Sequence, residues 1–98
     1  MALGACKALK DQGMDPASIP VTGVDATADG CASIAAGEMA FTVFQDADGQ
    51  GKAAVAAAAA LGKGKTVSAV KGATEDGMFV WVPFVPVDAS NVSQYQQK

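Results

Sequence analysis

Apolar residues recur at helical spacing in three stretches of the chain, which predicts helices over residues 1–12, 28–36 and 48–61. Gly13 stands where the C-terminal cap of the first helix belongs. Thr27 or Asp29 can cap the second helix. No capping residue precedes the first helix, which is typical of a segment cut from a longer chain.

Short apolar runs with β-branched or aromatic residues predict strands over residues 19–24, 40–44, 66–70 and 78–82. Alternation of helices and strands through residue 61 predicts parallel strands with helical crossovers, the pattern of α/β proteins. The last two strands are predicted to be joined by a polar loop that contains Asp76 and Gly77. Trp81 is predicted to pack in the core or on the sheet face, and the polar tail is predicted to form one short helical turn.

Composition excludes several kinds of chemistry. The 98 residues allow one domain at most, and they include no histidine, so a Ser-His or Cys-His nucleophile pair and an imidazole ligand are excluded. All basic residues are lysines, the net charge is −3, and the pI is about 4.5, all of which argue against nucleic-acid binding. The longest apolar run is far shorter than the roughly 20 residues that span a bilayer, and no signal peptide is recognised at Met1.

The two cysteines are predicted to be small core residues. Cys6 and Cys31 each lie one turn from apolar neighbours on a predicted helix, and their spacing does not fit a zinc site. Nothing in the sequence fixes the distance between them, so a disulfide stays open. No metal ion or cofactor is predicted.

A glycine-rich string resembles a nucleotide-binding motif. Residues 49–54 read G-x-G-x-x-A between a predicted strand and a predicted helix, the context of a dinucleotide fingerprint. Asp46 and Asp48 would repel a pyrophosphate there, and the first glycine comes several residues after the strand. A glycine-containing helix start is therefore favoured, and a small dinucleotide-binding domain is kept as an alternative.

Two polar residues close predicted strands. Asp25 and Gln45 lie at the carboxyl edge where parallel α/β sheets bind ligands. A carboxylate can accept hydrogen bonds from sugar hydroxyls, and a carboxamide can both donate and accept. Local sequence fits equally well with Asp25 and Asp46 as N-caps of the following helices, so both interpretations stay open.

Four blocks of sequence resemble type 1 periplasmic sugar-binding proteins, and among them the galactose/glucose- and ribose-binding branch. They occur in the order and spacing of that family and cover essentially the whole chain. The blocks are Met1-Ala-Leu-Gly-Ala5, Ile19-Pro-Val-Thr-Gly-Val-Asp25-Ala, Phe41-Thr-Val-Phe-Gln45-Asp-Ala and Val82-Pro-Phe-Val-Pro-Val-Asp88.

The resemblance implies a binding protein and not an enzyme. Such proteins have two α/β lobes that trap one monosaccharide, an aldose such as galactose, glucose or ribose, and deliver it to the permease of an ABC transporter. Some also signal through a chemoreceptor, and their location is periplasmic or extracytoplasmic. Asp25 matches the family's sugar-binding aspartate, and Gln45 matches its Asn or Gln at the hinge strand.

The resemblance also implies a C-terminal fragment of a parallel-sheet, three-layer fold. The family's Asn before the first block, its first lobe and the calcium loop are missing. Residues 1–45 correspond to part of the second lobe, 46–82 to the helix and strands that pack on the first lobe, and 83–98 to the hinge and tail. We therefore expect uncovered apolar faces, an element-exchanged homo-oligomer or a poorly folded chain, and weak or no sugar binding by the chain alone.

The effector domain of a sugar-responsive repressor is the nearest alternative, because it shares this fold. Such domains usually have Gly-Phe-Asp where this chain has Gly-Val-Asp25, and they lack the Val82-Pro-Phe ending.

Overall fold

The computed structural model describes residues 1–96. Three α-helices, two β-strands and three short 3₁₀ turns form in this range. The helices are α1 (Ala2–Asp11), α2 (Ala28–Ala35) and α3 (Ala47–Gly62); the strands are β1 (Thr42–Gln45) and β2 (Phe84–Val87); the 3₁₀ turns are Pro16–Ser18, Val67–Ala69 and Val92–Gln94. The three predicted helices are thus confirmed to within a residue or two at each end.

The chain divides into two compact units. Unit 1 consists of Met1–Gln45 together with the described residues from Phe84 onward, and unit 2 consists of Asp46–Pro83. The chain passes between the units at Gln45–Asp46 and again at Pro83–Phe84.

Unit 1 has a small, continuous core. Both cysteines belong to it as free thiols, with Cys6 1% and Cys31 0% exposed, so the prediction that they are core residues is confirmed. Burial raises the pKa of the Cys31 thiol. The ring of Phe44 packs at 5.1 Å from that of Tyr95 beside this core. The core residues are Cys6, Ala26, Cys31, Ile34, Met39, Val87 and Val92.

The sheet of unit 1 differs from the prediction. Strands β1 and β2 pair antiparallel, from Thr42 opposite Val87 to Gln45 opposite Phe84. Strand β2 lies in the stretch that the sequence assigned to a hinge and tail. The described residues thus form a mixed α/β arrangement with one two-stranded antiparallel sheet, and the predicted three-layer parallel sheet is not formed among them.

A trace of the predicted parallel pairing remains beside β1. The Gly23 amide donates to the Phe41 carbonyl oxygen at 2.9 Å, and the Asp25 amide donates to that of Val43 at 2.8 Å. Only one bridge, Thr22 with Phe41, results, so residues 19–24 do not form a strand. Pro20 has no amide proton to donate, and the chain leaves the extended conformation at Asp25, which keeps the pairing short.

Unit 2 combines α3 with a short hairpin over residues 72–81. The hairpin is held by the bridge between Ala73 and Val80 and by the Trp81 amide, which donates to the Gly72 carbonyl oxygen at 2.9 Å. The predicted strands over 66–70 and 78–82 are wrong. Residues 78–81 pair with residues 72–74 instead of 66–70, because the nearer segment closes a shorter loop, which costs less entropy. Trp81 is 65% exposed and stacks on Phe79, so it is not a core residue.

Candidate functional site

A cavity of about 410 Å³ opens in unit 1 beside the start of α1 and the segment that leads into α2. Its wall combines apolar side chains with a few polar ones, which is the usual composition of a small-molecule site. The polar residues that line it are Thr22, Asp25, Thr27 and Thr42.

Asp25 lies at a tightly held turn of this cavity. Its φ is +92° and that of Ala26 is +48°, both in a region that non-glycine residues rarely adopt. The Asp25 amide donates to Val43, the Ala26 amide donates to Thr42 Oγ1 at 3.2 Å, and the Cys31 thiol donates to the Ala26 carbonyl oxygen at 3.6 Å. A backbone strain of about 1–3 kcal/mol at each residue persists because these contacts determine the conformation.

The capping alternatives are now resolved. Asp46 does cap α3, since its carboxylate accepts from the Gly49 amide at 2.9 Å. Asp25 does not cap α2, because Thr27 Oγ1 takes that role by accepting from the Gly30 amide at 3.1 Å. Within residues 1–96 the exposed Asp25 carboxylate has no hydrogen bond or ion pair, so its oxygens remain available to a ligand.

Gln45 occupies the end of β1, half-buried and opposite Phe84. The Asp25 amide donates a hydrogen bond to the Val43 carbonyl oxygen, and Gln45 lies two positions after Val43 on the same face of β1. The structure thus brings Asp25 and Gln45 to the same end of neighbouring segments. Only Asp25 lines the cavity of about 410 Å³.

Thr42 is a site residue that the sequence analysis missed. Its side chain is 2% exposed, and its hydroxyl fixes the peptide that follows Asp25. The sequence does carry one signal for it: Thr42 is the single hydroxyl residue in the apolar run over 41–44. A buried hydroxyl without a hydrogen-bond partner would destabilise the fold, so a partner is to be expected.

The structure gives no support to nucleotide or metal binding. Gly49 and Gly51 lie inside α3. The Gly49 amide, which would have to donate to a bound phosphate, already donates its hydrogen bond to the Asp46 carboxylate. Among residues 1–96 no group of three or more Cys, Asp or Glu side chains could hold a metal ion. In the same range no helix has the length and apolar character required to cross a membrane.

Comparison with known proteins identifies relatives for the whole chain. A putative rhizopine-binding protein of Rhizobium meliloti is 41% identical over 98 residues, which are all of this chain and 29% of the relative. A D-galactose/methyl-galactoside binding periplasmic protein of Haemophilus influenzae is 38% identical over 96 residues, 97% of this chain and 28% of the relative. The chain therefore spans less than a third of the length of these curated relatives.

Solved structures give the same result. An ABC transporter solute binding protein of Bacillus halodurans with bound myo-inositol matches 98% of this chain and 30% of its own, with 33% identity and a TM-score of 0.74. The Caulobacter myo-inositol binding protein bound to myo-inositol matches 98% of this chain and 29% of its own, with 27% identity and a TM-score of 0.65.

A sequence profile described as the periplasmic binding protein domain matches residues 1–66. That family consists of binding proteins, so the prediction of a non-enzymatic chain is confirmed. The match covers about two thirds of the sequence, and the chain belongs to the periplasmic binding protein domain family.

Proposed function

We propose that the chain is part of the solute-binding component of an ABC-type sugar transporter and that its ligand is a small polyhydroxylated ring, a monosaccharide or a cyclitol. The similar proteins support this class, because their names and bound ligands include galactose and myo-inositol. The partners are then the permease of the transporter and, as a further candidate, a chemoreceptor. The location is the periplasm or an equivalent extracytoplasmic space.

The observation that carries the proposal is the free carboxylate of Asp25 in the cavity of unit 1. A strained turn, held by Val43 and Thr42, presents a charged acceptor that makes no hydrogen bond within the described chain. Adjacent hydroxyls of a sugar or cyclitol donate to such a carboxylate, and each hydrogen bond to a charged group contributes about 1.5–3 kcal/mol.

Gln45 is the second ligand residue of the proposal. Its carboxamide has no hydrogen bond within residues 1–96, and it lies at the end of β1 next to the passage into unit 2. We assign unit 1 to the second lobe of the family fold and unit 2 to the part that belongs with the first lobe. The passages at 45–46 and 83–84 support that division.

The 98-residue chain alone is expected to bind sugar weakly. The hydrogen bonds of two residues leave little net free energy once the translational and rotational cost of association, about 4–15 kcal/mol, is subtracted. The test therefore restores a complete cleft, by a chimera in which these 98 residues replace the matching 29% of the Rhizobium meliloti relative.

Binding of myo-inositol, galactose and ribose to the chimera is measured by calorimetry. We expect Asp25→Asn to weaken binding by about 10- to 150-fold, the equivalent of one lost charged hydrogen bond. Asp29→Asn is the matched control, because Asp29 is an exposed acid on α2 outside the cavity lining. Equal affinity of the Asp25→Asn and Asp29→Asn chimeras would refute the role of Asp25, and a folded chimera without affinity for any polyol would refute the function.

A further inference from the structure

Gly23 is closely packed in the wall of the unit 1 cavity. A Cβ added to it would lie 3.2 Å from Ala2 Cβ and 3.3 Å from Met39 Sδ, closer than side chains usually pack. The φ of Gly23 does not fall in the left-handed region, where glycine is favoured. The close approach of its neighbours, and not an unusual backbone conformation, is therefore the reason for a glycine at this position.

Backbone hydrogen bonds fix the position of Gly23. Its amide donates to the Phe41 carbonyl oxygen at 2.9 Å, and the Ala40 amide donates to that of Val21 at 2.8 Å. These two bonds tie the segment of Gly23 to the segment that carries Met39. The Gly23 segment cannot withdraw to make room for a side chain without breaking them, so an added side chain would displace its neighbours instead.

Met39 forms the floor of the cavity. It lines the cavity and is only 4% exposed, because it also belongs to the core of unit 1. Its thioether has three rotatable bonds, so it fills irregular space that a branched side chain would not. The size and shape of the Met39 side chain therefore set the depth of the cavity. The other apolar side chains of the lining are less buried: Met1, Ala2, Leu3 and Val24.

We propose that Gly23 and Met39 determine which polyol the cavity accepts, an inference that rests on the proposed function because it concerns the same site. Gly23 precedes Asp25 by two positions, and both line the cavity. The hydroxyls of the ligand meet the Asp25 carboxylate, and the apolar C–H face of its ring lies on the Met39 thioether. A methyl group at position 23 would push this thioether and the start of α1 into the volume that the ligand occupies.

The test uses the chimera with the Rhizobium meliloti relative and measures its affinities for myo-inositol, galactose and ribose by calorimetry. Gly23→Ala is expected to weaken the binding of myo-inositol and galactose by about 10- to 200-fold, the usual effect of one methylene in a closely packed pocket. Ribose is the smallest of the three ligands and should lose less affinity. The ratio of its affinity to theirs should therefore rise about fivefold or more.

A second substitution tests whether the two residues act together. Met39→Val removes the thioether that the new methyl group would meet, so in the Gly23→Ala chimera it should return the affinities to within about tenfold of the parent. Met39→Val alone deepens the cavity and should shift the ratio of affinities toward the two larger ligands. Gly4→Ala and Ile34→Val are the matched controls and should leave the ratios unchanged. Gly4 has no atom within 4 Å of an added Cβ, and Ile34 is 2% exposed but does not line the cavity.

Urea unfolding of every variant separates lost folding from lost selectivity, because a purely structural role lowers stability without changing the ratio between ligands. A chimera that binds a polyol and keeps its affinity ratios in both Gly23→Ala and Met39→Val would overturn this proposal alone. So would a folded Gly23→Ala chimera whose lost affinity is not relieved by Met39→Val. A folded parent chimera without affinity for any of the three ligands would refute the proposed function, and the selectivity assigned to Gly23 and Met39 with it.

Discussion

The hydroxyl of Thr42 is the contact on which the geometry of Asp25 depends. It accepts the Ala26 amide at 3.2 Å, and both residues are buried, with Thr42 2% and Ala26 6% exposed. Thr42→Val keeps the shape of the side chain and replaces the acceptor by a methyl group. The Ala26 amide is then buried without a partner, which costs about 1–3 kcal/mol.

Two measurements check this value. Urea unfolding followed by far-UV circular dichroism should show a loss of that size, a midpoint shift of about 1 M for a chain of this length. Hydrogen exchange should show faster exchange of the Ala26 amide by roughly 5- to 150-fold, the same free energy expressed as a ratio. Thr22→Val is the control, because Thr22 is exposed and its hydroxyl makes no hydrogen bond within residues 1–96; its effect should stay within about 0.5 kcal/mol.

Equal stability of Thr42→Val and Thr22→Val, together with an unchanged exchange rate of the Ala26 amide, would contradict this role of Thr42. In that case Thr42 does not hold the turn, and the orientation of Asp25 has another cause. Faster exchange over all of unit 1 without a specific change at Ala26 would equally contradict a local role.

Three further predictions concern the ends of elements. Asp46→Ala should destabilise α3 by about 1 kcal/mol, because it removes the N-cap. Asp48→Ala removes an exposed ion pair and the acidic residue of the first turn and should cost less, about 0.5 kcal/mol, measured by helix content against urea. Gly72→Ala should disrupt the hairpin, since the added Cβ would clash with the Trp81 carbonyl oxygen and φ is +89°, and tryptophan fluorescence should report the change. Stability should fall as pH drops through the lowered pKa of Asp88, because that carboxylate is hydrogen-bonded only when folded and ionised.

The controls are available in the same chain. Gly64→Ala also changes a glycine with positive φ, +73°, but no atom lies within 4 Å of its added Cβ, so it should perturb less than Gly72→Ala. The Ser90 hydroxyl and amide donate to the Asp88 carboxylate and lower its pKa. Its contribution to the free energy of unfolding is therefore complete above the pKa of an unfolded aspartate, about 4, and is lost at lower pH. Asp88→Asn should flatten that acid limb, and an unchanged pH profile would contradict the assignment.

The candidate site was predictable in part. Asp25 and Gln45 stood out as polar residues at the ends of apolar runs, and the structure places them at one end of neighbouring segments. The sequence left open whether Asp25 caps a helix, because Asp and Thr are both good N-caps and only the backbone path shows which side chain reaches the amide. Thr42 was missed because its partner, Ala26, is distant in sequence.

The sequence by itself determined the three helices, the burial of the cysteines and the family. Helical spacing and capping act between residues a few positions apart, so α1, α2 and α3 follow from local pattern. The tertiary structure alone decided the partner of β1, the loss of the predicted strands of unit 2 and the free state of the Asp25 carboxylate. Strand pairing depends on which distant segments meet, and the alternating pattern of a strand is equally compatible with parallel and antiparallel neighbours. Residues 84–87 therefore had to be brought beside residues 42–45 before either was recognisable as an antiparallel strand.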